Sequence, residues 1–391
     1  MILPFLREEK DVKKVFLIDF LLCFAGFLVV PIIPIYMKDV LKYSLGQVGF
    51  ILGIPSVICC FLGGLAYYCY RKLGIYHSVL LSLTLDILVY VVLLVKFPYI
   101  YIITFYILKG ISTSIFMPIL KNLYILTLKN EENTKIVFKF RYIIVCLSAI
   151  ISPYFSRILY PISHKIIFYV FFSLYFTGIL LLIGFKNYIQ TLDLEKEKIK
   201  VLLILKEKRR IIIFLVACII ILMVFSQFEG TFILTLPSNE ALEIFTLLLI
   251  LNSVFGVIIQ LINLKYFNKL SAYSSLILGC CSFAIAYIIF FLSNFNIIIL
   301  ILAIIIFTIG ETLIMPNIEI FITEISNEND RVFLYGISEF KRLGFFLGPF
   351  ISGCLIQSYS GKKMFIVFSC LSLFACGLFI IFEKINNKYI T

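Results

Sequence analysis

Apolar residues dominate the chain in stretches of about 20 or more, each bounded by charges, glycine or proline. They run over Val15–Met37, Gly46–Tyr70, His77–Phe97, Tyr99–Leu120, Ile136–Arg157, Lys165–Phe185, Ile211–Leu236, Ala241–Leu264, Ala272–Ser293, Ile297–Phe321, Ile337–Gln357 and Met364–Glu383. A hydrocarbon core about 30 Å thick takes about 20 helical residues, so the pattern predicts about twelve transmembrane helices and an all-α, polytopic fold. Lys121–Arg141 mixes charge with Leu, Ile, Val and Phe, and Lys121–Leu128 reads as an extension of the fourth span into the cytoplasm. The longest polar segment, Lys186–Arg210, carries the run Asp193-Leu-Glu-Lys-Glu-Lys-Ile-Lys200. It predicts a cytoplasmic linker, 186–210, between a six-helix bundle over 1–185 and a second over 211–391.

Composition agrees: 62% of the 391 residues are hydrophobic and 14% are charged. That excludes a soluble enzyme, a secreted disulfide scaffold and a nucleic-acid-binding domain, despite a net charge of +12. The positive charge is a topology signal. With the N-terminus inside, 26 of the 34 lysines and arginines lie on the cytoplasmic side and seven opposite, with Lys109 left in mid-span. The positive-inside rule then places both termini in the cytoplasm of a cell-membrane protein. The first span follows Lys13-Lys14 and is too long for a signal-peptide core, so it reads as a helix that stays attached. Ten of the eleven cysteines fall inside apolar runs, Cys69 sits near the end of one, and all read as small core residues.

The two halves carry the same punctuation. Gly110 and Pro118 in the fourth span, Asn130-Glu-Glu-Asn133 after it and Ser148-x-x-x-Ser152-Pro153-x-x-Ser156 in the fifth match three later features. These are Gly310 and Pro316 in the tenth span, Asn327-Glu-Asn-Asp330, and Gly344-x-x-x-Gly348-Pro349-x-x-Ser352-Gly353 in the eleventh, at offsets of 200, 197 and 196 residues. Two six-helix units related by duplication account for this. Small residues four apart let helices approach closely, and a proline frees a backbone carbonyl. The pattern predicts close packing, and the fifth and eleventh spans as the interface about which the halves rock.

On these residues the chain resembles the major facilitator superfamily of secondary transporters over nearly its whole length. Pro31-Ile-Ile-Pro34-Ile-Tyr36 is similar to the proline-paired end of that family's first helix. Gly63-Gly64-Leu-Ala66 followed by Arg71-Lys72-Leu-Gly74 resembles its signature between the second and third helices, without the family's acid there. The fourth span also lacks an arginine shortly before Gly110, having Tyr106 and Ile107. Both departures bear on the family's charge lock between loop and helix. Span five resembles the proline motif of the antiporter branch with serines for glycines, and Gly310-Glu311 to Pro316 with Gly344 to Gly353 resembles the multidrug-efflux members. The resemblance implies alternating access, with the first, fourth, seventh and tenth helices lining a central cavity.

A charge at the bilayer centre costs roughly 2.5–3.5 kcal/mol on insertion scales, so each needs a partner, water or a role. Asp86, Lys109, Glu229 and Glu311 lie deep in spans, and Asp19 lies about one turn inside the first. Lys109 precedes Gly110 and Glu311 follows Gly310, so duplication gives them matching depth and they are candidates to pair across the cavity. The alternative is a pair between Lys109 and Asp86 within one half. Glu229, eight residues before Pro237, lies about 12 Å from the outer surface and suits reversible proton binding, or serves as a hydrogen-bonded acid of its bundle. Asp19 reads as an interfacial acid paired with a loop base, and otherwise as a cavity charge. The 41 Phe and 23 Tyr line an aromatic cavity or face lipid.

A primary pump would need a phosphate-binding Gly-x-x-x-x-Gly-Lys-Ser/Thr loop, and a polytopic enzyme would need a polar catalytic or metal cluster; the sequence has neither signature. It predicts no cofactor and no metal. The expected function is proton-coupled efflux of small amphipathic molecules or drugs by a monomer in a lipid bilayer. Proton-coupled uptake of a small nutrient stands as the alternative, on the polar candidates Gln227, Asn252, Gln260 and Asn263, and a non-transporting scaffold or receptor as the alternative of another class.

Overall fold

Local sequence chemistry starts and breaks the helices. The computed structural model describes residues 9–192, 211–236, 241–266, 270–358 and 361–387, apart from 31, 44, 96, 97, 131, 132 and 161. The linker from Asp193, Pro31, Glu131, Glu132 and Pro237 therefore lie outside the described residues, as do the side chains of Pro153 and Arg157. Ser163, Ser271 and Asn296 accept backbone N–H bonds at three helix starts, satisfying donors that a helix leaves open. The helices are α1 Lys10–Val29, α2 Ile32–Asp39, α3 Leu45–Leu62, α4 Leu65–Val95, α5 Tyr99–Leu126, α6 Thr134–Leu159, α7 His164–Gly184 and α8 Lys186–Thr191. They continue as α9 Ile211–Gly230, α10 Ala241–Tyr266, α11 Ala272–Leu292, α12 Ile297–Glu324, α13 Arg331–Ser338, α14 Leu343–Ser358 and α15 Gly361–Asn387. Among the described residues, ten helical stretches are long and apolar enough to span a membrane, and Phe50–Leu62 is a shorter apolar helix. No strand occurs among the described residues.

Four spans differ from the hydropathy pattern, the first being divided into α1 and α2 after Val29. The second, expected to reach Tyr70, ends at Leu62 because Gly63-Gly64 form a turn. The helix resumes at Leu65 and breaks again at Gly74, whose φ of 81° is open to glycine and strained for other residues. The seventh, expected to reach Leu236, ends at Gly230 and passes into a 3₁₀ turn, Phe232–Thr235. The eleventh is split into α13, a 3₁₀ turn over Glu339–Arg342 and α14, where Ser338-Glu-Phe-Lys-Arg342 interrupts the apolar run. Proline lies inside α3, α5, α12 and α14 without ending them.

The helices sort into two compact units: Met1–Glu197 with Asn327–Glu339, and Lys198–Ser326 with Phe340–Thr391. In unit one α1 packs on α6 and α7, α5 on α3 and α4, and α4 on α7. In unit two α9 packs on α14 and α15, α12 on α10 and α11, and α11 on α15. Counted as spans, the second set is the first advanced by six, so the duplication read from glycines and prolines recurs in the packing. In unit one α13 also seats on α5 and α4.

The aromatic residues of unit two are largely its core. Phe228, Phe232, Phe283, Phe307 and Tyr287 are fully buried, with ring pairs such as Phe283–Phe307 at 4.6 Å and Phe228–Phe307 at 4.9 Å. Lipid offers apolar groups little reason to separate from it, so this interior is held by such close ring contacts. Other rings, Phe61 and Phe176 among them, are exposed on spanning helices as expected of lipid-facing side chains. Cys354 and Cys370, expected in the core, are exposed.

Candidate functional site

Ion pairs join separate helices of unit one. Asp19 of α1 is fully buried and accepts bonds from Tyr124 Oη of α5 at 2.7 Å and Arg141 Nε of α6 at 2.9 Å. The expected loop base is replaced by a base and a tyrosine on neighbouring helices. Lys109 of α5 pairs with Asp86 of α4 at 3.3 Å and donates to Tyr90 Oη at 2.8 Å; Tyr175 Oη of α7 donates to the other Asp86 oxygen at 2.6 Å. Of the two pairings the sequence left open for Lys109, the structure contains the one inside its own unit. Near the cytoplasmic end predicted for α5, Lys121 meets Glu339 at 2.6 Å with both side chains almost wholly buried, and the ammonium lies 5.7 Å from the Tyr335 ring.

Unit two is arranged around acids and amides. Asn252 of α10 donates through Nδ2 to Glu311 of α12 at 2.9 Å, while its carbonyl oxygen accepts from Thr308 at 2.7 Å. Thr308 thereby fixes which end of the amide faces the acid. Glu229 occupies the last turn of α9, shallower in its helix than the sequence suggests because α9 stops at Gly230. It makes no hydrogen bond or ion pair among the described residues, and its carboxyl lies within electrostatic reach of Glu311. Toward the other end of α12, Glu319 is bonded to Lys341 at 2.5 Å. Gln227 donates to Tyr287, and Gln260 is fully buried with neither amide atom hydrogen-bonded among the described residues.

The small-residue motifs make their close approaches inside each unit. A Cβ on Gly344 would lie 2.4 Å from Ile219 O, and one on Gly348 2.5 Å from Met223 O, so both glycines press directly on the α9 backbone. Ser226 donates to Gly344 O at 3.1 Å, and Ser352 donates to Pro349 O at 3.1 Å while bonding Thr231. In unit one Ser156 donates to Leu28 O of α1 at 2.5 Å, Ser148 bonds within its own helix, and Ser152 is buried. Within each unit, these contacts join the fifth span to the first and the eleventh to the seventh.

In the loop signature the sequence singled out Gly64, but a Cβ there would meet open space. Gly63 is the constrained position: its Cβ would fall 1.9 Å from Gly336 O of α13, and one on Gly336 2.0 Å from Gly63 O. Arg71 makes no hydrogen bond or ion pair among the described residues, and Lys72 lies 4.6 Å from the Tyr68 ring. Contact through Gly63 and Gly336, with the nearby Lys121–Glu339 pair, occupies this end of unit one. The sequence missed Gly336, Glu339 and Glu319 as functional positions. Glu319 had a signal, an acid three residues inside the predicted end of span ten.

Among the described residues no group of three or more His, Cys, Asp or Glu is placed to hold a metal ion. The arrangement offers buried ion pairs, two carboxyls within electrostatic reach of one another and amide donors.

Comparison with known proteins gives consistent matches. The family model described as Major Facilitator Superfamily matches residues 15–340. An uncharacterized MFS-type transporter, YqjV of Bacillus subtilis (strain 168), is 25% identical over 361 residues, covering 88% of this chain and 85% of the relative. Among solved structures, a bacterial homologue of the iron transporter ferroportin in an outward-facing state aligns with a TM-score of 0.78 at 15% identity, over 95% of this chain and 99% of that one. The human organic anion transporter MFSD10 (TETRAN) aligns at 0.74 and 14% identity over the same shares. The proton:xylose symporter XylE aligns at 0.68 and 13%, over 95% of this chain and 94% of its own.

Proposed function

Because the chain belongs to the Major Facilitator Superfamily and is a multi-pass membrane transporter of a small molecule, we propose that it is a proton-coupled secondary transporter exporting small amphipathic molecules by alternating access. The family is generally non-enzymatic. The observation that carries proton coupling is Glu311, an acid deep in the helix of the tenth span and held there by Asn252, with Glu229 of the seventh span within electrostatic reach. Two carboxylates in reach of one another repel, and a proton on one of them relieves it.

Export is supported by the glycine and proline pattern of the eleventh span, where Gly344 and Gly348 keep α14 against α9. The solved structures of similar fold are a homologue of an iron transporter, an organic anion transporter and a proton:xylose symporter, so the fold leaves the substrate open. Uptake of a polar nutrient is the second reading, favoured by Gln260, whose buried amide lacks a protein partner among the described residues. Proteoliposomes with an imposed pH gradient and a broad compound panel test both readings. Amphipathic compounds should move against the proton gradient; movement of polar nutrients with it would favour uptake. If no compound responds to the gradient, proton-coupled transport fails and the scaffold reading gains.

The same reading places both termini and the linker in the cytoplasm of the cell membrane, as a monomer. A cysteine placed at Lys198 should be labelled by an impermeant reagent only after the membrane is opened. Labelling in intact cells would invert the orientation.

A further inference from the structure

Thr308 is fully buried in α12, and its hydroxyl has two acceptors at the same distance. They are the side-chain oxygen of Asn252 on α10 and the backbone oxygen of Ile304 one turn back, each at 2.7 Å. A hydroxyl carries one proton, so it donates to one acceptor at a time and has lone pairs left to accept with. Glu311, three residues on and so on the same helix face, accepts from the other end of that amide, Asn252 Nδ2, at 2.9 Å. Ile304 O, Thr308, Asn252 and Glu311 thus form a row. The heavy-atom positions leave open the direction of its two inner links, Thr308 to Asn252 and Asn252 to Glu311.

The charge on Glu311 sets that direction. An ionised carboxylate only accepts, so Asn252 must turn its N–H towards it, and Thr308 then donates to the amide oxygen. A protonated carboxyl has an O–H to place. A half-turn of the amide offers it Oδ1 and brings Nδ2 to Thr308, which accepts while directing its own O–H to Ile304 O. The half-turn exchanges an oxygen and a nitrogen of nearly equal size about a soft torsion, so it needs no cavity. Both ends of the amide stay bonded in either arrangement, where a stranded buried polar group would be costly.

We propose that Asn252 and Thr308 form a reversing hydrogen-bond relay, the Asn252 amide turning over as Glu311 gains or loses its proton and Thr308 acting as the positioning residue for both orientations. This rests on Glu311 as the proton carrier and adds how α10 and α12 stay joined through the proton's arrival and departure. One proton is added to a carboxylate oxygen, and no bond between heavy atoms changes. The groups facing this stretch of α12 are Asn252 of α10, Glu229 of α9 within electrostatic reach of Glu311, and Gly279 and Phe283 of α11 against Gly310. Glu319, two turns further along α12, is bonded to Lys341. These charges are common to the parent and the Thr308 variants and drop out of their comparison.

Purified protein is titrated by infrared difference spectroscopy, following the protonated-carboxyl band assigned to Glu311 by its absence from Glu311→Gln. Thr308→Val keeps the side-chain shape and removes the hydroxyl. It takes one hydrogen bond from the ionised arrangement and two from the protonated one, so the protonated form loses more. The midpoint should move about one pH unit towards acid, about a tenfold loss of proton affinity. Thr308→Ser keeps the hydroxyl and should titrate as the parent does. An amide that never turned would lose the same bond in both forms, leaving the midpoint of Thr308→Val in place. In the parent itself, the nuclear Overhauser contact between the Asn252 side-chain N–H and the Thr308 methyl group should strengthen below the midpoint; this reading stands even if Thr308→Val does not fold. An unmoved midpoint in Thr308→Val, a Thr308→Ser midpoint displaced as far as that of Thr308→Val, an Overhauser contact indifferent to pH, or no Glu311 band would each overturn the relay. Loss of gradient-driven transport in Glu311→Gln together with an unmoved Thr308→Val midpoint would sink the relay alone. A relay that titrates as described in a protein whose Glu311→Gln variant still responds to the gradient would sink the coupling role of Glu311 alone.

Discussion

With glutamine at position 311, a pH gradient should no longer drive accumulation of substrate, and uptake into proteoliposomes should fall to that of protein-free liposomes. Substrate exchange across the same membrane should continue. The local structure makes this substitution informative. Glu311 accepts from Asn252, whose amide is oriented by Thr308. A glutamine has the same length and still offers Asn252 a carbonyl oxygen, so the bond between α10 and α12 survives. Only the ability to hold and release a proton is lost. Exchange needs the conformational cycle but no net proton movement, so it separates coupling from folding and binding. Glu229→Gln tests the other member of the pair in the same assay. Should both variants still accumulate substrate in response to the gradient, neither acid carries the proton, and Asp19 and Asp86 become the next candidates.

Lys121→Met should destabilise the protein by about 3–5 kcal/mol, the scale for leaving one partner of a buried ion pair uncompensated. Glu339 is 1% exposed and has the Lys121 ammonium at 2.6 Å. Methionine fills the stem of the lysine but takes its ammonium away from a carboxylate in a dry site. The double substitution Lys121→Met/Glu339→Gln removes the stranded charge and should recover most of the loss. Thermal midpoints of the detergent-solubilised proteins measure both. A single variant as stable as the parent would show that this pair does not hold α13 on unit one.

Hydropathy gives depth along a helix but not the direction a side chain faces, and that difference sorts what was legible from what was not. The apolar runs place nearly every span, because the cost of polar backbone in lipid forces long helices wherever the chain crosses. They misplace the ends at Gly63, Gly230 and Ser338, where glycine turns or charged residues act within an otherwise apolar context. Asp19, Asp86, Lys109, Glu229 and Glu311 stand out because charge is rare at that depth. Their partners do not: Tyr124 and Arg141 lie 105 and 122 positions from Asp19. Tyrosine in an apolar run looks like any other aromatic residue, yet Tyr124 and Tyr175 donate to Asp19 and Asp86, and Tyr90 accepts from Lys109. The repeat predicts close packing at Gly344 and Gly348, while the helix they press on is set by the tertiary fold.

The placement of Asn327–Glu339 within unit one bears on how the protein is made. Lys121 and Glu339 are separated by 218 positions, and at about 5–20 residues per second a ribosome takes about 10 to 40 s to cover that distance. Throughout that interval the helices of the first half are already synthesised, while the Gly63 turn awaits Gly336 and the Lys121 ammonium awaits its carboxylate. The first bundle therefore cannot mature at the central linker; it is finished only after the tenth span has emerged. A gene cut at the linker and expressed as two halves should thus give an amino-terminal piece that depends on its carboxy-terminal partner for completion.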